Sequence, residues 1–173
     1  IMQFVSRPSW CLNMMTAKKL NFGNIMGHVT NVTNLSSLAS WTADQFDPTL
    51  TWEDIAWIKD RWKGQLILKG IMDSEDAMLA VKAGADAIII SNHGGRQLDG
   101  APSTISVLSE IVDAVNSKVE VHFDGGVRSG QDVLKALALG ADCIHIGRPY
   151  VYGLGAKGQE GVEIAIDIIC LLY

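Results

Sequence analysis

A histidine and an arginine three residues apart, in His93-Gly94-Gly95-Arg96, carry the clearest chemical potential in this chain. An imidazole accepts a proton near neutral pH and a guanidinium forks onto a carboxylate, so the pair can seat an organic acid and deprotonate the group beside its carboxylate. The same residues can equally make a polar turn in which His93 is merely solvated. What precedes them narrows the choice. Ala87-Ile88-Ile89-Ile90 is an unbroken apolar run, as expected of a strand buried on both faces. Gly94 and Gly95 then turn the chain at small steric cost and let backbone approach a ligand, which fits a strand-end loop better than a helix.

Three further segments place polar groups directly after strand-like runs. Lys69 follows Leu66-Ile67-Leu68; Asp124-Gly125-Gly126-Val127-Arg128 follows the run 119–123; Gly147-Arg148 follows 143–146. In parallel α/β barrels catalytic groups gather at the carboxyl ends of the strands. One strand-end lysine is ordinarily solvated, and Asp124 before two glycines can be a simple Asx turn. Four such endings on one face, with Ser91, His93 and Arg96 at the second, read as an active site. Gly125-Gly126 and Gly147-Arg148 follow the last two strands, where such barrels hold phosphate on backbone N–H groups and a helix N-terminus. Arg128 and Arg148 would add charged donors, so a phosphorylated cofactor or substrate is implied.

The elements that must position these groups alternate from about residue 50 onward, which predicts an α/β fold with a parallel sheet. Helices are expected over 54–62 with Thr51 as cap, from Ser74 to a stop at Gly84, over 104–115, and over 130–139 ending at Gly140. Strands are expected at 66–68, 87–90, 119–123 and 143–146. Gly84-Ala85-Asp86-Ala87-Ile88 recurs 56 positions on as Gly140-Ala141-Asp142-Cys143-Ile144, a spacing that two βα units would fill. Gly-Ala-Asp itself reads as a helix-to-strand connector at the end of the barrel opposite the site. Residues 1–50 have a different texture. Residues 13–34 mix Met, Asn, Thr and Gly with little sustained period, and 31–37 have a loop composition. Asn31 and Asn34 fit the N-glycosylation pattern, with no secretory signal to support it.

The 173 residues are 48% apolar and 19% charged, a globular composition, and the formal charge of −5 gives no general reason to bind nucleic acid. An acidic metabolite therefore needs a local positive site. Cys11, Cys143 and Cys170 make no Cys-x-x-Cys pair and are odd in number, which argues against a disulfide framework or a zinc site and suits a reducing, cytoplasmic compartment. No long uncharged apolar run and no signal sequence are visible. A start at Ile1 and an end inside the apolar pattern of 168–173 lead one to expect a piece of a longer protein.

The strings LILKGI (66–71), SNHGGRQLD (91–99), DGGVR (124–128) and GRP (147–149), in this order and spacing, resemble the FMN-dependent 2-hydroxy acid oxidase and dehydrogenase family, which includes glycolate oxidase, flavin-type L-lactate dehydrogenase and mandelate dehydrogenase. The resemblance covers about 47–170. It implies the C-terminal half of a (β/α)8 TIM barrel over 47–173, about four parallel strands with flanking helices, and a variable loop or helical excursion over the active-site face at 1–46. It further implies FMN as cofactor. Lys69 would face the pyrimidine edge of the flavin and Ser91 would contact it. Asp124, Gly125, Gly126, Arg128, Gly147 and Arg148 would secure the ribityl chain and phosphate. His93 would take the proton from the 2-hydroxy acid and Arg96 would bind its carboxylate. No metal ligand is implied. Electrons would pass to oxygen, a quinone or a cytochrome.

The family's first four strands, with the tyrosines, arginine and carboxylate that complete its pocket, have no counterpart here. Half a barrel leaves strand edges unpaired, so aggregation, dimerisation or a need for the missing segment is expected, and the full-length protein is expected to be a homo-oligomer. Gly94-Gly95 and Ala101-Pro102-Ser103-Thr104 lie closer to the lactate and mandelate dehydrogenases, making L-lactate the first candidate substrate. The alternatives are another FMN-dependent barrel enzyme, which would not need His-x-x-Arg, and a non-catalytic half-barrel that keeps the FMN or phosphate site. A cytoplasmic location, or a peripheral one on the inner membrane, completes the expectation.

Overall fold

The computed structural model describes residues 6–16, 25, 29 and 35–171. Two compact units divide the chain, Ile1–Leu50 and Thr51–Tyr173. Within the first, helices α1 (Pro8–Thr16) and α2 (Leu35–Asp44) overlap only in part the stretches without a clear period, 13–34, and of loop composition, 31–37. Thr hydroxyls make this tolerable by bonding back one turn, Thr16 to the Leu12 carbonyl and Thr42 to the Leu38 carbonyl, each at 2.8 Å. Asn31 and Asn34 lie outside the described residues.

The second unit runs α3 (Trp52–Arg61), β1 (Ile67–Ile71), α4 (Ser74–Lys82), β2 (Ala87–Ile90), α5 (Thr104–Val115), β3 (Glu120–Phe123), α6 (Gly130–Ala138), β4 (Cys143–Ile144), α7 (Arg148–Lys157) and α8 (Gln159–Cys170). The strands form one parallel sheet in the order β1-β2-β3-β4. It is the α/β arrangement of four strands with flanking helices expected of half a barrel, with β1 and β4 at its edges among the described residues. Every residue of β2 is buried, as its unbroken apolar run requires. Ile88 and Ile90 meet Leu108, Ile111 and Val115 of α5 in a core that also takes in Val121 and Phe123 of β3.

Local chemistry sets the boundaries. Thr51 caps α3 reciprocally with Asp54, whose carboxylate accepts from the Thr51 N–H at 2.7 Å. Asp73 caps α4 through the Asp76 N–H at 2.8 Å. The repeated Gly-Ala-Asp is the connector it looked like. Gly84 and Gly140 end their helices at φ 81° and 101°. Ala85 and Ala141 are buried, and the two aspartates reach across to neighbouring strands. Asp86 accepts from the Leu66 N–H at 2.7 Å and Asp142 from the Val121 N–H at 2.8 Å. Lys59 also pairs with Asp86 at 2.6 Å.

Two strand ends differ by two residues or more from the sequence expectation. β1 runs on to Ile71 instead of stopping at Leu68, because Gly70 forms a bulge: Lys69 pairs with Ile89 and Ile71 with Ile90. β4 keeps only Cys143–Ile144 in ladder register, the sheet having no further described strand to pair with it.

Candidate active site

The bulge in β1 is the first device that builds the site. Gly70 has φ 100°, and a Cβ there would come within 3.2 Å of His93 Cε1, so only glycine lets the imidazole lie against the end of β1. His93 itself is left-handed, with φ 55°, followed by Gly94 at 68° and Gly95 at 70°. A non-glycine residue in that region costs on the order of 1–3 kcal/mol and persists only when its surroundings fix it. Here they do. Ser91 Oγ accepts from the His93 N–H at 3.2 Å, Asn92 Oδ1 accepts from the Gly95 N–H at 3.2 Å, and the Asn92 amide donates to the Pro102 carbonyl at 3.1 Å.

Lys69 is held just as firmly. Its ammonium donates to Ser91 Oγ at 2.5 Å and forms an ion pair with Asp124, tying the ends of β1, β2 and β3 together. Beyond Asp124 the chain turns through Gly125 and Gly126 at φ 100° and 85°. A Cβ on Gly125 would lie 2.8 Å from Thr104 Oγ1, so the turn is closed to larger residues on that side. Arg148 reaches back across the mouth and donates to the Gly94 carbonyl at 3.2 Å, linking the end of β4 to the His93 loop.

These groups converge. Lys69, His93, Arg96, Asp124, Arg128 and Arg148 line one cavity of about 570 Å³, with Gly125, Gly126 and Gly147 completing its wall. That volume lies within the range of about 300–1,000 Å³ usual for small-molecule sites. Its charge is the reverse of the chain's: four cationic side chains besides His93, against the single carboxylate of Asp124. Ser91 does not line it; the residue is buried, and its hydroxyl is engaged by Lys69 and the His93 N–H. His93 and Arg96 are exposed.

The two glycine segments differ as anion sites. α6 is closed by its own Asp132, which accepts from the N–H groups of Arg128 at 3.0 Å and Ser129 at 3.1 Å and from the Ser129 hydroxyl at 3.0 Å. α7 has Gly147 as its cap, which has no side chain to close the first turn. The N–H groups there, beside Arg148, are the ones left for an anion. Sequence reasoning passed over His145, which also lines the cavity. The signal was present: alternation along 143–147 puts Cys143, His145 and Gly147 on one face.

Comparison with known proteins decides the family. The sequence model described as "FMN-dependent dehydrogenase" matches residues 1–170. The chain belongs to that family. FMN-dependent dehydrogenase relatives include the L-lactate dehydrogenase of Vibrio cholerae serotype O1 (strain M66-2), 44% identical over 169 residues, 97% of this chain and 45% of the relative. That of Pseudomonas syringae pv. syringae is 46% identical over 169 residues, 97% and 44% respectively. Among solved structures, mandelate oxidase with (S)-4-hydroxymandelic acid superposes with a TM-score of 0.73 at 48% identity, over 79% of this chain and 38% of that one. A mandelate oxidase variant carrying a monooxide FMN adduct gives 0.68 at 49% identity, over 73% and 40%. The chain thus spans less than half the length of these relatives.

Within this family half-barrel the Asp132 cap yields a prediction. The N–H of Arg128 and the Ser129 hydroxyl hold the Asp132 carboxyl below its ordinary range. A carboxyl depressed on folding stabilises fully above its unfolded value of about 3.9 and loses that contribution as pH falls through the lower folded value. Asp132 is the N3 partner of the Ser129 N-cap in a capping box, so Asp132→Ala is expected to destabilise by about 1 kcal/mol at neutral pH, within the range of about 0.3–1.5 kcal/mol for such helix-end devices. The deficit should vanish in strong acid. Denaturant melts of both proteins at pH 7 and below pH 3 check this; an equal deficit at both would refute it.

Proposed function

We propose that the protein oxidises an L-2-hydroxy acid, L-lactate first among them, to the 2-oxo acid with FMN bound at the strand ends. The observation that carries this is the convergence of His93, Arg96 and Lys69 on one cationic cavity that ends at an uncapped helix. The donor set fits FMN. Arg148, Arg128 and the first turn of α7 suit its phosphate, the open walls at Gly126 and Gly147 leave room for a chain against backbone, and Lys69 offers a positive charge to the ring. When bound, FMN would accept the two electrons released from the substrate carbon.

The remaining chemistry belongs to the chain. Arg96 would hold the substrate carboxylate through paired N–H donors, which fixes the acid's orientation. His93, set against the end of β1, would accept the proton of the 2-hydroxy acid at an imidazole nitrogen. Ser91 and Asp124 would keep the Lys69 ammonium in place. The electron acceptor, homo-oligomeric assembly and a cytoplasmic or inner-membrane-surface setting belong to the same proposal; the free thiols of Cys143 and Cys170 are consistent with a reducing compartment.

Solvent exposure of His93 and Arg96 favours a second reading, a half-barrel that binds FMN or phosphate without turnover. One experiment separates them. The FMN-loaded protein, held without oxygen, is expected to lose its flavin colour on adding L-lactate and to keep it with D-lactate. Persistent colour with every L-2-hydroxy acid would leave the binding module standing and remove the enzyme.

A further inference from the structure

We propose that His122, Cys143 and His145 form a binding site for a late first-row d-block dication, with Zn²⁺ as its representative. Register assembles the three. His145 follows β4 directly, its N–H donating to the Phe123 carbonyl at 2.8 Å, so the alternation continues past the strand and sets it on the face of Cys143, whose ladder partner on β3 is His122. One donor atom from each residue lies within 4.8 Å of the other two. In a tetrahedral zinc site imidazole nitrogen stands about 2.0–2.1 Å and thiolate about 2.3 Å from the metal, so neighbouring donors are about 3–4 Å apart. On binding, the three donors would close from within 4.8 Å of one another to that spacing.

Protonation geometry points the same way. His122 Nε2 lies 3.2 Å from Glu120 Oε2, and an ionised carboxylate can only accept, so the His122 proton belongs on Nε2. Its Nδ1 then presents a lone pair inward and accepts from the His145 Nε2–H at 3.0 Å, a proton that a metal ion would displace. A carboxylate holding the far side of a histidine is the support that metal-ligating imidazoles ordinarily have. His122 is 9% exposed, so this polar group is built into the sheet face and not set out in solvent.

The internal repeat supplies an independent argument. Fifty-six residues earlier, at the positions answering to Cys143 and His145, β2 carries Ala87 and Ile89. The same face of the same kind of strand is apolar in one unit and carries two ligand types in the other. An imidazole and a thiol are soft or borderline donors, which favours zinc and its neighbours over magnesium or calcium. Binding would displace the Cys143 thiol proton and any proton shared between the two rings, so affinity should fall in acid.

The test needs neither FMN nor turnover. Protein stripped with a chelator is titrated with Zn²⁺, and with Mg²⁺ as control, by calorimetry. One Zn²⁺ per chain is expected, weakened at least about 100-fold by Cys143→Ala or His145→Leu and about 10–100-fold by Glu120→Gln, the range for loss of a supporting carboxylate. Iodoacetamide labelling of the unmodified protein covers the case in which a variant misfolds. Saturating Zn²⁺ should slow labelling of Cys143 and leave exposed Cys170 unchanged. No Zn²⁺ uptake, uptake unaffected by folded Cys143 and His145 variants, or labelling of Cys143 indifferent to Zn²⁺ would each overturn the site.

Discussion

Replacing His93 with alanine is expected to lower kcat for L-2-hydroxy acid oxidation by about 10²–10⁴-fold, the contribution usual for a positioned acid or base. FMN affinity should change little, because the phosphate donors lie on other segments. The expectation comes from how much structure is committed to this one side chain. Its backbone sits in the left-handed region at φ 55°, Gly70 is bulged to clear its ring, and Ser91 and Asn92 bond the loop around it. A solvated turn histidine would need none of these. Added imidazole should restore part of the lost rate in the alanine protein, since it returns the missing base without returning the fold. Wild-type kcat in His93→Ala would show that the base lies elsewhere.

Arg96→Leu should be nearly as damaging, but in a different parameter. Removing one partner of a hydrogen-bonded charge pair costs about 2–5 kcal/mol, or roughly 30-fold to several thousand-fold in kcat/KM. Arg96 is exposed in this chain, which puts the expectation toward the lower end of that range. Arg96→Lys should recover only a small part of the loss, because an ammonium lacks the planar fork that meets both carboxylate oxygens. Steady-state kinetics with L-lactate check both variants. An unchanged KM and kcat/KM in Arg96→Leu would show that the carboxylate is held by another group.

The contrast between these loops and the rest of the chain explains what was legible in the sequence. β2 could be read directly because Ala87-Ile88-Ile89-Ile90 is buried throughout, and burial on both faces writes an unbroken apolar run. The caps at Thr51 and the glycine stops at 84 and 140 were legible because each answers a local backbone need. The extension of β1 was not, since a bulge at Gly70 looks in sequence like the end of a strand. α1 and α2 were hidden by Ser, Thr and Asn, whose side chains favour turns unless they bond back into the helix, as Thr16 and Thr42 do. Within the site, the strand-end cluster was visible as residue types. That Asp132 closes one glycine segment while α7 leaves the other open depends on side-chain partners, which spacing alone does not specify. His122 and His145 went unnoticed, and Cys143 was read only as one of three cysteines without a Cys-x-x-Cys partner, because ligand types on different strands meet only through register.

The central claim is that this cationic cavity holds FMN by its phosphate, and a parallel titration with FMN and riboflavin tests it most directly. Each hydrogen bond to a charged group contributes about 1.5–3 kcal/mol, so two or more on the phosphate should make FMN bind at least about 100-fold tighter than riboflavin. Arg148→Ala should narrow that gap. Equal binding of the two flavins, or binding of neither, would contradict the account.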